Sequence, residues 1–245
     1  ESGGYDIVHV HEPLVPTVSS STLRWRGAPL VATFHMYSDA ALPYRLLAPL
    51  FRWRLRRVTT RIAVSPAASA CASRVSRIDA AIPNGVWPGA DEPPDPTEPA
   101  GAEPRILFIG RHEPRKGLQV LLTAFGQLPG DVRLDLIGVD RHELMRARPA
   151  AEGAGRIIAH GRLPDDERRR LLQRADVLCA PALRGESFGL VVAEAMAEGV
   201  PVVASAIPGY RDVVAPGCGR LVPPGDPDAL AGALGHNFRS VFRNQ

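Results

Sequence analysis

The sequence predicts an α/β protein whose strands form parallel sheets. Along its 245 residues, short runs rich in β-branched residues alternate with segments of helical length. These runs are apolar throughout, which is typical of strands that helices cover on both faces. The hydrophobic content of 45% is normal for a globular protein. No run approaches the roughly eighteen apolar residues that a membrane span needs.

The first series of elements occupies residues 1–85, which we predict to be the rear part of a Rossmann-like domain. Its predicted strands are 5–12, 29–35 and 61–65. The chain starts almost inside the first of these strands, with no initiator Met and no signal-peptide pattern. We therefore expect the natural protein to have further residues before this point, including the first strands of the domain.

A basic segment, residues 44–61, is predicted to be a helix with two alternative roles. Arg45, Arg52 and Arg56 fall on one stripe at 100° per residue. The apolar side chains roughly opposite are Leu47, Leu50, Phe51, Leu55 and Val58. Such a helix can lie on an anionic membrane surface. We favour the alternative, a helix packed on the sheet with a solvated arginine face.

Residues 86–104 are predicted to be a linker, because a stretch so rich in Pro, Gly and acidic residues cannot hold a helix or a central strand. Residues 105–234 then form a nearly whole Rossmann-like domain, and residues 235–245 an atypical tail. The predicted strands of this domain are 105–110, 132–138, 156–161, 176–182, 201–205 and 219–225. Its predicted helices are 117–128, 141–150, 165–175, 187–198 and 226–234.

The segment GRHEPRKG, residues 110–117, follows a predicted strand and opens a helix. Ligands of open α/β sheets bind at the carboxyl ends of strands, and a helix N-terminus suits phosphate. Arg111 and Lys116 add two positive charges there. Lys116 is the one lysine among 29 basic residues, which favours a site that needs a compact ammonium group. We predict an anion site here, in preference to a turn with solvated charges.

The segment GESFGLVVAEAMAEG, residues 185–199, follows the predicted strand 176–182. Gly185 and Gly189 would let a ligand approach the backbone, and Ser187 is a candidate helix cap. The N–H groups at the start of the helix would point into the same crevice as the lysine of the first motif.

Two glutamates in this segment raise the question of what they face. Glu186 precedes the first helical turn, where it would accept hydrogen bonds from ligand hydroxyls. Glu194 lies in an apolar run that predicts a buried helix, on a stripe with Leu190 and Ala197. Burying a carboxylate costs several kcal/mol unless a donor pairs with it. Taken singly, each acid is equally well explained as an exposed or half-buried helix residue.

Together, residues 110–117 and 185–205 resemble the nucleotide-sugar domain of retaining glycosyltransferases of the GT-B fold (family 4 type). The resemblance extends over about residues 1–234 and implies two Rossmann-like domains, the N-terminal one incomplete. It is greatest to the members that transfer mannose to phosphatidylinositol. It implies GDP-mannose as donor substrate without a cofactor, a phosphatidylinositol acceptor at a membrane surface, and no nucleic-acid partner.

The resemblance also implies residue roles. Glu186 would hold hydroxyls of the donor sugar, Glu194 the nucleotide ribose, and Arg111 and Lys116 the diphosphate. The catalytic group would be His35, Arg111, Lys116 and Glu186. The donor-binding group would be Gly110, Arg111, Lys116, Leu163, Asp165, Arg168, Glu186, Ser187, Phe188, Gly189, Leu190 and Glu194.

His35 ends the predicted strand 29–35, and the family histidine at this place contacts the donor sugar and the reacting centre. From the residues alone, a lone histidine is more often structural. His11 and Glu12 end the preceding strand and are weaker candidates for the acceptor side.

A metal site is not predicted. Asp226 and Asp228 imitate an Asp-x-Asp metal motif, but Asp226 as a helix cap with Pro227 in the first turn explains the pattern. Three widely spaced cysteines indicate a reducing, cytoplasmic compartment, where the resemblance implies attachment to the inner face of the plasma membrane.

Three functions stay open at this stage. The first is mannosyl transfer from GDP-mannose, and the second is hexosyl transfer from a UDP- or ADP-sugar on the same fold. The third is a non-catalytic remnant that binds a nucleotide sugar.

Overall fold

The computed structural model of the chain describes residues 4–15, 18–38, 41–86, 103–147 and 155–241. The chain folds as two compact units. The first unit comprises Glu1–Gly85 and Gly185–Phe188; the second comprises Val86–Arg184 and Gly189–Gln245. Most of the predicted linker, residues 87–102, lies outside the described residues.

The first unit holds a parallel sheet of four described strands in the order β1-β2-β3-β4. The strands are β1 (Val8–His11), β2 (Leu30–Phe34), β3 (Val58–Ala63) and β4 (Ala80–Ala81). The helices are α1 (Val18–Thr22), α2 (Ala41–Leu55) and α3 (Pro66–Ala72). The start of α3 is set by Ser65, whose hydroxyl accepts a 2.9 Å hydrogen bond from the Ala68 N–H ahead of a proline at the first helical position.

The basic helix predicted over 44–61 is shorter than expected. Helix α2 ends at Leu55, and β3 already begins at Val58. The β-branched run Val58-Thr59-Thr60 explains the difference, because such residues favour a strand over a helix. Ala48 and Leu55 are buried and Phe51 packs on the core of the first unit, as the favoured interpretation predicts.

The second unit holds a parallel sheet of six described strands in the order β10-β9-β8-β5-β6-β7. The strands are β5 (Arg105–Ile109), β6 (Arg133–Ile137), β7 (Ile157–Gly161), β8 (Val177–Ala180), β9 (Val202–Ser205) and β10 (Gly219–Val222). The helices are α4 (Leu118–Phe125), α5 (Arg141–Ala147), α6 (Asp165–Gln173), α7 (Leu190–Ala197), α8 (Pro208–Arg211) and α9 (Pro227–Val241).

Apolar side chains cover both faces of this sheet. Phe108, Leu134 and Leu136 lie in a cluster with α4 on one face, whereas Leu107 and Leu178 pack against α7 on the other. Each fully buried side chain of this size contributes roughly 1.5–3 kcal/mol of transfer free energy. The strand order and the two covered faces are those of a doubly wound Rossmann-like sheet.

In the second unit, three described helix boundaries differ from the prediction by three residues or more. Helix α4 ends at Phe125 rather than 128, α7 begins at Leu190 rather than 187, and α9 continues to Val241 rather than ending at 234. The tail predicted from Gly235 is therefore helical as far as the structure describes it, and Leu234 at its start is fully buried. None of the described helices is both long and apolar enough to cross a membrane.

Candidate functional site

The second unit has a topological switch point between two neighbouring strands. Strands β5 and β8 pair with each other, yet the chain runs from β5 outward to β7 before it returns to β8. Crossovers therefore leave these two strands toward opposite faces, which opens a crevice at their carboxyl ends. The predicted phosphate motif, 110–117, follows β5, and the segment before α7 follows β8.

Backbone contacts lock these two loops together. The Leu183 N–H donates a 2.7 Å hydrogen bond to the carbonyl of Arg115. Gly117 has φ of +74°, and a Cβ added there would lie 1.9 Å from the carbonyl oxygen of Pro181. Only glycine fits this position, because any side chain would collide with backbone and adopt a disfavoured left-handed conformation.

Lys116 lies at the end of a one-turn 3₁₀ helix, Pro114–Lys116, directly after β5. Its side chain passes Gly110, where an added Cβ would lie 3.7 Å from the lysine Cδ and 3.0 Å from the Phe108 ring. The side chain is half-buried. The structure thus brings Gly110 and Lys116 together at the carboxyl end of β5.

Arg111, the other predicted phosphate ligand, is held by a glutamate of its own motif. Glu113 accepts from Arg111 at 2.8 Å with one carboxylate oxygen and from Arg115 at 2.8 Å with the other. The Arg111 side chain is still 71% exposed. Sequence reasoning missed this bridge, although the alternating charges of RHEPRK were a signal for it.

Glu194 faces Arg168. The guanidinium of Arg168, on α6, donates two hydrogen bonds to the Glu194 carboxylate on α7. The Nη1–Oε2 distance is 2.6 Å and the Nη2–Oε1 distance is 3.4 Å. The hydrogen bond to Glu194 raises the pKa of Arg168. Both side chains are about one-quarter exposed, so a bound ligand could still reach them. Two of the predicted donor-binding residues are therefore direct partners.

A second pair lies one helical turn along α7. Glu198 is 2.9 Å from Nε of Arg169 and accepts a 2.9 Å hydrogen bond from Gln173. Together the two pairs line a pocket of about 220 Å³ between α6 and α7. Sequence reasoning missed this second pair, for which the spacing of Glu194 and Glu198 was the available signal.

The other predicted residues near α6 and α7 take different environments. Asp165 is 97% exposed and lies 3.5 Å from Arg168. Leu163 is half-buried and packs against the core of the second unit. Leu190 and Ala197 are exposed, so the stripe that they share with Glu194 is the solvent side of α7 and not a buried face as predicted. The reason is that Val192 and Ala195 supply the buried face.

Gly185–Phe188 groups with the first unit. The Ser65 hydroxyl donates to the Ser187 carbonyl, and Phe188 packs against the cluster of Ala63, Val64 and Ala68. Glu186 is half-buried. The predicted helix cap at Ser187 is wrong: the N-cap of α7 is Gly189, at φ of +79°, with no side-chain cap. An added Cβ at Gly189 would come within 2.6 Å of the Tyr210 ring, which is why glycine stands there.

In the first unit, His35 directly follows β2 and meets residues that end β1. Its Nε2 lies 2.7 Å from Nδ1 of His11, and the two rings are 5.0 Å apart. The ring of His9, two residues earlier on β1, lies with its centroid 4.4 Å from that of His11. Its Nε2 is hydrogen-bonded to the Thr33 hydroxyl at 2.7 Å. Burial lowers the pKa of both His9 and His35, and the charge of His11 lowers each further.

Glu12 accepts hydrogen bonds from the backbone just after β2. Its Oε1 accepts from the backbone N–H groups of both His35 and Met36. Among the described residues Glu12 is the one non-glycine with positive φ, at +50°. Such a conformation costs about 1–3 kcal/mol and persists only where the surroundings impose it. Burial raises the pKa of this carboxyl, although the two N–H donors oppose the shift.

Helix α2 exposes an apolar stripe. Leu46, Leu47, Leu50 and Trp53 are between 45% and 71% exposed, and we call them the α2 surface. Beside it is a groove of about 400 Å³ that Arg24, Arg26, Arg54, Arg56 and Arg57 line together with Trp53. Arg56 lies 5.3 Å from the Trp53 ring. The apolar stripe was not predicted, because the sequence analysis placed Leu47 and Leu50 on the packed side.

Asp226 caps α9 as predicted, accepting a 2.9 Å hydrogen bond from the Ala229 N–H. In the part of the chain that the structure describes, no three His, Cys, Asp or Glu side chains are grouped as a metal ion would require.

Two family models match the chain. The model described as "Glycosyl transferases group 1" matches residues 91–236, and that described as "Glycosyltransferase Family 4" matches residues 1–88. The first match alone covers more than half of the sequence and contains the switch point of the second unit.

Known proteins resemble the chain over different lengths. A phosphatidyl-myo-inositol mannosyltransferase of Mycobacterium leprae is 40% identical over 249 residues, which are 95% of this chain and 64% of that protein. The chain thus spans just under two thirds of this relative. A D-inositol 3-phosphate glycosyltransferase of Xylanimonas cellulosilytica is 44% identical over 142 residues, 54% of this chain and 33% of that protein.

Among solved structures, a sucrose-phosphate synthase of Thermosynechococcus elongatus superposes with a TM-score of 0.74 and 28% identity over 98% of this chain and 69% of its own. Because the family models match both of its parts, the chain belongs to the group 1 and family 4 glycosyltransferases, and its parallel sheets have the GT-B fold of that family.

Proposed function

We propose that this chain belongs to a retaining glycosyltransferase that moves mannose from GDP-mannose to phosphatidyl-myo-inositol. The observation that carries the proposal is the similarity to the mannosyltransferase of that name along 95% of the chain. The positively charged residues predicted to bind an anion at the carboxyl end of β5 support it, because a nucleoside diphosphate is the leaving group. Lys116, Arg111 and the amino end of α7 supply positive charge in the second unit.

In the proposed reaction the bond between the mannose C1 and the β-phosphate oxygen breaks. An acceptor hydroxyl forms the new C1–O bond on the same face of the sugar, and its proton passes to the departing phosphate. Charge grows on that phosphate in the transition state, so fixed positive groups lower the barrier. Glu186 would hold sugar hydroxyls and Glu194 the ribose. His35 would contact the sugar at the reacting centre.

Donor recognition is tested by calorimetric titration with GDP, UDP and ADP. We expect GDP to bind most tightly. Lys116→Ala should weaken GDP binding about tenfold to a hundredfold, because it removes a charged hydrogen bond. Arg141→Ala, at an exposed arginine of α5, is the matched control and should bind like the parent. A preference for UDP or ADP would instead favour the second hexosyltransferase hypothesis, and binding of none would favour the non-catalytic one.

The sugar contact is tested by comparing GDP-mannose with GDP. In the parent chain the sugar should add affinity. Glu186→Ala should remove that increment while leaving GDP affinity within about twofold, because a sugar-binding carboxylate does not touch the nucleotide. Equal loss of both ligands would contradict the assigned role of Glu186.

The α2 surface supports a membrane-bound acceptor at the inner face of the plasma membrane. An apolar stripe beside five arginines suits a surface of anionic lipid, because the leucines enter the interface and the guanidinium groups meet the phosphates. We expect the chain to sediment with vesicles of phosphatidylinositol and phosphatidylcholine, and less with phosphatidylcholine alone. Leu47→Ser with Leu50→Ser should reduce binding about tenfold.

The matched control for that experiment is Met145→Ser, which removes an apolar side chain 67% exposed on α5 of the second unit. It should bind vesicles like the parent. Equal binding by the α2 variant and the parent would exclude the α2 surface as the membrane contact.

A second candidate function has its own observation. The match to the D-inositol 3-phosphate glycosyltransferase reaches 44% identity, although over 142 residues only. That relative's name points to an inositol phosphate without a lipid. Transfer to soluble inositol 3-phosphate, with none to phosphatidylinositol vesicles, would favour this candidate.

A further inference from the structure

The carboxyl ends of β1 and β2 carry three histidines and one glutamate in mutual contact. A hydrogen bond of 2.7 Å connects Nδ1 of His11 to Nε2 of His35. The Glu12 carboxylate accepts the backbone N–H of His35 and of the next residue. His35 is therefore held at its side chain and at its backbone by two consecutive residues of one strand end.

The bond between the two rings restricts their protonation. One nitrogen must carry a hydrogen and the other must offer a lone pair, since a neutral imidazole has one of each. When both rings are protonated, all four nitrogens are donors and the bond is lost. In a neutral pair the tautomers of the two rings are therefore coupled: both rings carry hydrogen on Nδ1, or both carry it on Nε2.

The Glu12 conformation points to a purpose for this arrangement. A left-handed glutamate is uncommon, and strained residues of this kind cluster where a side chain must be aimed. Its Oε1 bonds the two N–H groups at the point where β2 ends. These bonds fix the backbone on both sides of the His35 side chain.

We propose that His11 and Glu12 are positioning residues for His35: Glu12 fixes the backbone that carries His35, and His11 fixes its ring orientation and couples the tautomers of the two rings. The importance of this for sugar transfer rests on the proposed function. The coupled tautomers do not, because they are a property of the free chain. The charged and titratable groups facing the pair are His9 on β1 and the Glu12 carboxylate.

The direct test is nuclear magnetic resonance of the full chain with ¹⁵N-labelled histidine. Long-range proton–nitrogen spectra report which nitrogen of each of the seven histidines carries hydrogen. His35→Gln and His11→Asn assign the two signals of interest. We expect His11 and His35 to show matching tautomers at pH 7.5, both with hydrogen on Nδ1 or both with hydrogen on Nε2.

Variants of His11 separate the bond from mere packing. His11→Phe keeps a ring but has no nitrogen, so the tautomer ratio of His35 should move toward that of a free imidazole and its pKa should move up toward its ordinary value of 6.5. His11→Asn places an amide, which can donate or accept, near the former Nδ1 and should keep the His35 ring hydrogen-bonded. His142→Asn, at an exposed histidine of α5, is the control and should change neither. An unchanged His35 spectrum in His11→Phe would overturn the role of His11.

Variants of Glu12 test the backbone anchor by amide hydrogen exchange. Glu12→Ala should speed exchange of the His35 and Met36 amides at least tenfold. Glu12→Gln keeps an acceptor oxygen and should retain most of the protection, which also covers the case in which the alanine variant does not fold. Exchange in Glu12→Gln and Glu12→Ala equal to that of the parent would overturn the anchor.

Kinetics then connect the two residues to transfer. For a positioning role, His11→Phe should lower kcat about tenfold to a hundredfold with less than threefold change in the donor KM, and His11→Asn should recover most of kcat. A parent chain without transfer activity would count against the proposed function alone, because the spectra decide the positioning roles independently. Loss of the hydrogen bond between the rings with unchanged kcat would overturn the catalytic importance of the pair.

Discussion

The carboxyl-end loops of the two units are built in different ways. In the second unit they are held by backbone: Gly117 packs on a carbonyl, and Leu183 bonds Arg115. In the first unit the corresponding edge is held by titratable side chains, with His11 on His35 and Glu12 on two N–H groups. The second unit therefore has a rigid backbone frame that suits a phosphate. In the first unit, the geometry of the edge depends on the protonation of its side chains.

The largest effect should come from breaking the backbone lock. Gly117→Ala adds a Cβ 1.9 Å from a carbonyl oxygen at positive φ, so we expect the free energy of unfolding of the second unit to fall by at least about 3 kcal/mol. Urea unfolding followed by circular dichroism measures this.

The matched control is Gly232→Ala in α9, where an added Cβ meets nothing within 4 Å. That change should stabilise the helix by about 0.5–1 kcal/mol. Similar small effects for the two variants would mean that the loops of β5 and β8 are not locked.

A smaller effect is expected from the ion pair between α6 and α7. A double-mutant cycle of Arg168→Ala and Glu194→Ala should give a coupling free energy of about 1 kcal/mol, because the pair is two-pronged and partly buried. The more exposed pair of Arg133 and Glu103 should couple by less than about 0.5 kcal/mol. Equal coupling in both cycles would show that Arg168 and Glu194 are an ordinary surface pair.

Removing the negative charge of Glu113, in the phosphate motif, should raise the affinity for the ligand rather than lower it. Glu113→Gln removes a negative charge that holds Arg111 and Arg115, so GDP should bind about threefold more tightly at low salt and equally at high salt. Glu103→Gln, an acid in the segment before β5, is the control. Weaker GDP binding by Glu113→Gln would show instead that the glutamate aims its arginines at the ligand.

The smallest effect is expected at the edge of the first unit that carries the histidines, where the stability should depend on pH. Burial lowers the pKa of His9 and His35 below the ordinary 6.5, so the unfolded chain binds more protons than the folded chain in that range. Stability of the first unit is thus full above pH 6.5 and falls as pH drops through the lowered values. The raised pKa of Glu12 acts oppositely, giving stability that is lost as pH rises through it.

Tryptophan fluorescence reports this response, because two of the three tryptophans, Trp25 and Trp53, lie in the first unit. The urea midpoint should fall between pH 7 and pH 5.5, and His35→Gln should flatten the dependence, whereas His142→Asn should not. A midpoint independent of pH in the parent chain would contradict the histidine contribution.

Much of the second unit was predictable from the sequence. The continuous apolar strands predict a parallel sheet, and the loop GRHEPRKG predicts an anion site at a strand end. Both signals are local in the sequence. The partner of Glu194 was not predictable, since 26 residues separate it from Arg168 and only tertiary packing brings the two helices together. Ser187 failed as a cap for a related reason: Gly189 fits under Tyr210, and that contact sets the start of α7.

The first unit was harder to predict. The patterns of β1 and β2 show three histidines and a glutamate near strand ends, but not that Glu12 would adopt a positive φ and bond the backbone after β2. The extent of α2 was also overestimated, because helical periodicity continued into residues whose branching favours β3. The exposed stripe of α2 depends on which of its faces meets the sheet, and that is decided by the buried Ala48 and Leu55.

The solitary lysine gives the molecule a built-in reporter. A chain with one ε-amine, at Lys116 beside Gly110, has a single side-chain target for amine-directed reagents. Acylation at mildly alkaline pH would therefore mark the strand-end crevice of the second unit and no other side chain. Mass spectrometry of the tryptic peptide then measures the fraction of Lys116 that is acylated. A molecule that binds over this amine lowers that fraction.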